Sequence, residues 1–567
     1  MNDAANRTEI AGRAIPERRA VLAAGAAALI LLLALALPDD PFRLTPSGFA
    51  RLPLEFALLV GLLAILGPRW RMPVSAAAGL LLALLVLAKL ASLATHAAYG
   101  RPPRPALDLA LLPAAWNLSS GALGAPLAFA AAAALAAAAA GLAFLLFRAS
   151  RALARVLPAL PPMAPAGFAA ASAALFLAAG AGGPVSAGSS RFAAAQAASA
   201  YASLADGPRF RSEAAHDPFA SIPDADLLAD LHDRDVALIF VESYGRSALE
   251  SPRFAAGTRA ALEAADSEIA GAGFSAASGW LSSPTVGGLS WLAHATLLSG
   301  LRIADQNRYD ALVTSRRATL VSDFARAGWR TVAVVPAITM AWPEGRFFGY
   351  DRILDAAALD YAGRPFNWIT MPDQFTLKRF RDRELAPTTR QPVFAEIALI
   401  SSHAPWTPIP PVIDWDAIGD GTIFDRWAES GDPPEVVWRD PERIRSQYGL
   451  SIDYVLRTIG SFVARYRDPN LVLIVVGDHQ PAPLVTGAEA GADVPIHVIS
   501  ADPKVLQAAA DWGFSPGLLP EPEAAALPME DLRARILESF TPRPSRALAA
   551  APDAIPPRPG PDRPRTR

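Results

Sequence analysis

The feature that most constrains this chain is where its hydrophobicity lies. Apolar runs crowd the first third, up to about Pro184, whereas charged and aromatic residues are much denser after Arg191. The runs fall at residues 21–37, 52–66, 74–94, 126–147 and 164–181, each close to the length that crosses a bilayer core. The second is short and contains Glu55, so the count of about five holds to within one span. A chain of 567 residues divided in this way folds as a lipid-facing part followed by a water-facing part.

Charge sets the orientation. Arg7, Arg13, Arg18 and Arg19 precede the first run, which has no convincing cleavage site before Asp39 and Asp40 and therefore reads as a retained anchor. Arg69 and Arg71 lie between the second and third runs, and Arg148, Arg151 and Arg155 between the fourth and fifth, which marks both loops as cytoplasmic. An odd number of spans then puts everything after about Gly183 across the membrane, in the periplasm of a double-membraned bacterium. Lys89, near the outer end of the third run, reads as a snorkelling side chain.

Composition removes several functions. A net charge of −3 supplies no basic surface of the kind nucleic acid requires, so nucleic acid is not an expected partner. With no cysteine there is no disulfide, thiolate metal site, catalytic thiol or cysteine-derived formylglycine.

The expected organisation is a membrane domain over residues 1–187, a polar, Ala-rich connector over 188–233 and a catalytic domain over 234–502. A helical extension over 503–550 and a disordered Pro- and Arg-rich tail over 551–567 follow. Within the catalytic domain, residues 235–241 (DVALIFV) form a continuous apolar, β-branched run of the kind found in buried parallel strands. Similar runs recur at 331–335, 393–400, 471–476 and 496–499, with helical patterns at 319–327 and 443–466 between them. The expected fold class is an α/β domain, a mostly parallel sheet sandwiched by helices, joined to an N-terminal multi-span α-helical membrane domain.

Ligands in such sheets bind at the carboxyl ends of the strands. The residues there are Glu242-Ser243, Ser401-Ser402-His403 and Gly477-Asp478-His479. Asp478 and His479 offer a hard oxygen and an imidazole to one divalent cation, and a further carboxylate would complete a pocket for Zn²⁺ or Mn²⁺, with Mg²⁺ the remaining option. Residues 282–300 (SSPTVGGLSWLAHATLLSG) bring a hydroxyl to the start of a short helix, where free N–H groups favour an anion such as phosphate. Ser290 there is either a plain N-cap or a nucleophile that serves as a further metal ligand.

A strand ending in VES, a hydroxyl-bearing helix start, a strand followed by SSH and a strand followed by GDH, behind about five spans, resemble the membrane-anchored branch of the alkaline phosphatase and sulfatase superfamily. Lipoteichoic acid synthases, phosphoglycerol transferases and lipid A phosphoethanolamine transferases belong to it. The resemblance implies one metal held by Glu242, the nucleophile, Asp478 and His479. Two hydroxyls compete for the nucleophile: Thr285 matches the lipoteichoic acid synthase-like enzymes, whereas Ser290 stands ten residues before Gly300, the spacing of sulfatases and alkaline phosphatases. Ser290 is preferred, and His294 four residues on matches a histidine of the nucleotide pyrophosphatase branch. His403 resembles a histidine near the transferred group, and Trp342 and Arg346 a pair that contacts the substrate headgroup. A formylglycine sulfatase would need an arginine where Val286 stands after Ser282 and Pro284, so the sulfatase likeness describes the fold rather than the reaction.

The resemblance implies a metal-dependent transferase that moves a phospholipid-derived phosphoryl headgroup, phosphoglycerol or phosphoethanolamine, onto an envelope glycan or lipid through a covalent Ser or Thr phospho-enzyme. A membrane-anchored phosphodiesterase or sulfatase-like hydrolase is the alternative, and a catalytically inactive envelope scaffold the third reading.

Overall fold

The computed structural model describes residues 18–542 except 100, 104–107, 109–111, 113–114, 117–118, 121–123, 162, 180–182 and 488–489. The expected disordered tail, Arg7 and Arg13 therefore lie outside the described residues.

Among the described residues of the first third, the apolar helices of ten residues or more are α1 (Arg18–Ala36), α2 (Leu54–Ile65), α3 (Pro68–Tyr99), α4 (Ala125–Val156) and α5 (Met163–Ala179). Among the described residues two are long and apolar enough to cross a membrane, at Pro68–Tyr99 and Ala125–Ala159, and the other three are shorter. Leu31, Leu63, Leu82 and Leu146 meet in a shared apolar core between them. Lys89 corrects one expectation. It is 2% exposed, and its ammonium donates to the carbonyls of Leu35 and Leu37 at 3.0 and 2.8 Å and to Ser189 Oγ at 2.8 Å. Instead of snorkelling, the cation closes the open carbonyl end of α1, where the helix dipole is negative. The connector forms α6 (Gly188–Ala215), and Glu55 accepts a hydrogen bond from Ser190 N at 2.7 Å near its start.

The α/β domain is built on a nine-stranded mixed sheet. Its strands are β1 (Asp235–Val241), β2 (Ser275–Ser282), β3 (Arg330–Val335), β4 (Arg352–Asp355), β5 (Val393–Leu399), β6 (Leu471–Gly477), β7 (Asp493–Ser500), β8 (Ser515–Pro516) and β9 (Leu527–Pro528). The spatial order is β8-β2-β7-β6-β1-β5-β3-β4, with β9 on β2. The pairs from β6 through β1, β5 and β3 to β4 are parallel, whereas β7 runs antiparallel to both β6 and β2.

β1 is buried along its whole length because helices cover both faces. Ala237, Ile239 and Val241 point to one side, against α7 (Ala255–Gly271) and α11 (Pro441–Tyr466). Val236, Leu238 and Phe240 point to the other, against α8 (Ser290–Ser299), α9 (Leu320–Arg326) and α12 (Asp531–Phe540). The period of two along the strand thus divides the domain into two apolar layers.

Residues 503–542, the described part of the expected helical extension, pack into this domain. β8 and β9 pair with β2, and Leu532, Ile536, Leu537 and Phe540 of α12 fill the second layer. Arg533, 1% exposed, locks it in place through Asp323 of α9 at 2.8 Å and Asp217 of the connector at 2.8 Å.

Candidate active site

β1 and β6 are parallel neighbours with Val241 opposite Gly477, so the residues that follow them leave the sheet side by side. That register brings Glu242 together with Asp478 and His479. Ser243 takes a left-handed conformation (φ +56°), which turns its N–H onto Asp478 Oδ1 at 2.7 Å, and His479 N–H reaches the same oxygen at 2.6 Å. A non-glycine residue held there is strained by about 1–3 kcal/mol, a cost commonly found at functional sites. With Oδ1 anchored, Oδ2 is left beside His479 Nε2 at 3.8 Å.

The histidine tautomer follows from its partner. His479 Nδ1 lies 2.9 Å from the carbonyl oxygen of Gln480, which can only accept, so Nδ1 carries the proton and Nε2 offers its lone pair. Nε2 is 3.4 Å from Glu242 Oε1, and ligand atoms of Glu242, Asp478 and His479 lie within 4.8 Å of one another.

Ser290 completes the cluster. It is the first residue of α8, with Leu289 (φ +67°) at the cap position, and its side chain makes no capping bond. Its hydroxyl donates to Glu242 Oε2 at 2.9 Å and lies 3.2 Å from His479 Nε2. Thr285 is turned away. Its Oγ1 donates to the carbonyl of Gly288 at 2.7 Å, inside the turn that leads to α8.

Burial pushes both carboxyl groups of the cluster upward in pKa. For Glu242 the charge of His479 and His403 when those rings are protonated, together with the hydroxyls of Ser243 and Ser290, outweighs burial and holds it below the usual carboxylate range. Asp478 is raised well above the carboxylate range, first by burial and then by the charge of Glu242. Two buried carboxyl groups this close resist double ionisation, and a bound cation removes that penalty. Two carboxylates, one imidazole lone pair and one hydroxyl converging on one point fit a single divalent ion.

A cavity of about 400 Å³ opens onto the cluster, lined by Glu242, Ser290 and Asp478 and by His294, His403 and Trp342. His403 is exposed on the loop after β5, its Nδ1 2.6 Å from the carbonyl of Ala404. Asp373, at the start of α10 (Asp373–Phe380), fixes that loop by accepting the N–H groups of Ile400 and Ser401 at 2.8 and 3.0 Å. The expected Trp342 and Arg346 pair separates. Trp342 faces the cavity, whereas Arg346 is exposed on the short helix Gly345–Phe348 and is not part of the lining.

Glu396 was absent from the sequence reading. This carboxylate sits in the middle of β5, 3% exposed, and accepts from His294 Nδ1 at 2.7 Å and from the hydroxyl of Tyr350. Its signal in the sequence is a lone acid inside the apolar run VFAEIAL, a residue type rarely buried without a partner.

Residues 236–493 match the Sulfatase family. No curated protein matches the chain. Among solved structures, the lipoteichoic acid synthase LtaP of Listeria monocytogenes is 12% identical and aligns over 48% of this chain and 67% of its own, with a TM-score of 0.34. The C-terminal periplasmic domain of the phosphoethanolamine transferase EptC of Campylobacter jejuni is 11% identical over 55% of this chain and 91% of its own, with a TM-score of 0.36. The phosphoglycerol transferase GacH of Streptococcus pyogenes, in complex with sn-glycerol-1-phosphate, is 11% identical over 59% and 91%, with a TM-score of 0.35.

Proposed function

Residues 236–493 form an enzyme domain of the Sulfatase family, and from that premise we propose a membrane-anchored transferase that moves a phosphoryl-linked headgroup from a membrane phospholipid to an envelope glycan or lipid. The carrying observation is Ser290, whose hydroxyl lies 2.9 Å from Glu242 and 3.2 Å from His479 at the mouth of the cavity. A hydroxyl at a helix start that caps nothing, and faces two ligand-type side chains instead, is suited to attack phosphorus. Thr285 is the weaker candidate because its proton is given to its own turn.

Glu242, Asp478, His479 and Ser290 would hold one divalent ion, Mn²⁺ or Zn²⁺. Bound there, the ion would lower the pKa of the serine hydroxyl and offset charge on the phosphoryl oxygens. Ser290 gives its hydroxyl proton to solvent as Oγ attacks the phosphorus of the donor, the bond to the lipid oxygen breaks with its electron pair on that oxygen, and His403 protonates the leaving oxygen and recovers a proton from solvent. An acceptor hydroxyl then displaces Ser290 from the phospho-enzyme. The aromatic wall at Trp342 packs against the headgroup.

Two features support a donor drawn from the bilayer. Among the described residues five apolar helices precede the domain, and the end of α3 touches the turn before Ser290, with the Ala98 carbonyl against Gly287. On this reading the chain is a multi-pass protein of the bacterial inner membrane with its α/β domain in the periplasm. The Sulfatase family match favours one alternative, hydrolysis with water as acceptor.

Mass spectrometry of lipids and periplasmic glucans from a deletion strain separates the two, since a transferase predicts loss of a headgroup modification and an unmodified profile would count against it. Metal analysis of the purified protein tests the cluster, with less metal expected in Asp478→Ala. Equal metal content in that variant would sink the assignment.

A further inference from the structure

The proposed chemistry uses His403 as the acid of the first displacement and assigns no group to take the acceptor's proton in the second. His479 belongs to the cluster, and His403 sits on an exposed loop with its ring tied to the neighbouring Ala404 carbonyl. The cavity wall holds a third histidine. His294 lies four residues after Ser290 on α8, so the two side chains share one face of the helix about 5–6 Å apart.

Its environment is built rather than incidental. Nδ1 lies 2.7 Å from Glu396 Oε1, and the hydroxyl of Tyr350 donates to the other oxygen of the same carboxylate. The imidazole also stacks on Phe240, with ring centroids 3.8 Å apart and planes 13° from parallel. Hydrogen bond and stacking together fix the ring in rotation. Glu396 has no packing reason to be an acid, because its register neighbours on the adjacent strands are Leu238 and Ala333. Burying a carboxylate among such residues is costly unless it holds a partner. Here the partner is an imidazole whose Nε2, among the described residues, has no hydrogen-bond acceptor or donor and which borders the cavity with Ser290.

We propose that His294 is the general base that activates the acceptor in the second displacement, with Glu396 and Tyr350 as positioning residues. The proposal rests on Ser290 being the nucleophile. A carboxylate on Nδ1 keeps the proton there and the lone pair on Nε2, and it stabilises the imidazolium that forms. The acceptor O–H gives its proton to Nε2 while its oxygen bonds to phosphorus. The bond from phosphorus to Ser290 Oγ breaks, and its electron pair stays on that oxygen. Ser290 is then reprotonated from His294 through cavity water, which restores both groups.

The test uses purified full-length protein in detergent with bis(p-nitrophenyl) phosphate, whose leaving group needs no acid, and water as acceptor. Wild type should show a burst of one nitrophenolate followed by slower turnover, with a nitrophenyl-phosphoryl group on the Ser290 peptide by mass spectrometry. In His294→Ala and His294→Gln the burst should remain, turnover should fall about a hundredfold, and the phosphorylated peptide should accumulate. Glu396→Gln should lower kcat with little change in KM. Turnover at the wild-type rate, or burst and turnover lost in parallel in both His294 variants, would overturn the assignment. A wild-type enzyme that carries no phosphoryl group on Ser290 would remove the nucleophile on which it rests, a distinct failure that takes the base with it.

Discussion

Gly287 joins the apolar N-terminal helices to the candidate site, and replacing it with alanine measures that junction. Its φ is +74°, and a Cβ placed there would lie 2.2 Å from the carbonyl oxygen of Ala98, at the end of α3, and 3.1 Å from Tyr99 Cα. The left-handed backbone alone costs alanine about 1–2 kcal/mol. The contact with a helix carbonyl adds more, because a backbone atom cannot rotate away, and relieving it moves the turn or the helix end by about 1 Å. Gly287 N–H donates to the Gln480 carbonyl at 2.8 Å, and that same oxygen accepts from His479 Nδ1. A shift of the turn is therefore felt by the histidine as well as by Ser290 three residues on. A misplacement of this size at a reacting group costs up to about a hundredfold in rate. The control is Gly513→Ala, where φ is +91° and nothing lies within 4 Å of the added carbon. Nitrophenyl phosphodiester turnover and thermal unfolding of the full-length protein read both effects. Both variants should lose a few degrees of Tm, and only Gly287→Ala should lose turnover by tenfold or more. Equal turnover in the two would refute a joint packing of α3 and the catalytic turn.

Two further substitutions test the frame around the site. Arg533→Met leaves Asp323, which is wholly buried, without its cation, and should destabilise the α/β domain by about 3–5 kcal/mol in chemical denaturation, with Arg533→Met plus Asp323→Leu recovering part of the loss; an unchanged midpoint would refute the ion pair as the lock on α12. Burial raises the pKa of Asp373 from 3.8 to about 7 against the hydrogen bonds it accepts, so it binds its proton more tightly folded than unfolded, and the associated stability is complete below pH 3.8 and lost as pH rises through 7. Asp373→Asn keeps the acceptor oxygen without the charge, and its stability relative to wild type should rise across that window by on the order of 4 kcal/mol; a difference independent of pH would show that Asp373 is not protonated in the fold.

The sequence was most legible where one physical demand was unmixed. β1 was readable to the residue because a strand covered on both faces must be apolar throughout, and DVALIFV allows no other reading. Glu242, Asp478 and His479 were readable for a related reason, since polar residues directly after such strands stand at the sheet's carboxyl edge. β2 was not. SAASGWLS has small and polar residues with no β-branched run, and its strand geometry comes from pairing with β7 along its whole length. The antiparallel direction of β7 was equally hidden, because an apolar run such as VPIHVIS has no direction. Glu396 could have been read from the acid in its apolar strand, but its partners His294 and Tyr350 lie about a hundred and about fifty residues away in sequence. Lys89 was misread because a lysine near a span's end has two solutions, and the open carbonyls that choose between them belong to another helix.

The choice between Ser290 and Thr285 turns on the backbone rather than on either side chain. Thr285 and Ser290 flank a turn with three consecutive positive φ values, at Gly287, Gly288 and Leu289. That turn folds the Gly288 carbonyl back toward Thr285, whose hydroxyl closes the loop, and it delivers Ser290 into the first position of α8. Leu289 then occupies the cap position with no side-chain oxygen to offer, so no side-chain oxygen caps the helix start, and the Ser290 hydroxyl is free for Glu242. A capping serine at position 289 would compete for the same amide groups and for any anion bound there. On the proposed mechanism the leucine is thus part of the chemistry: it leaves the amide end of α8 without a side-chain cap beside the Ser290 hydroxyl, where a phosphoryl group would bind.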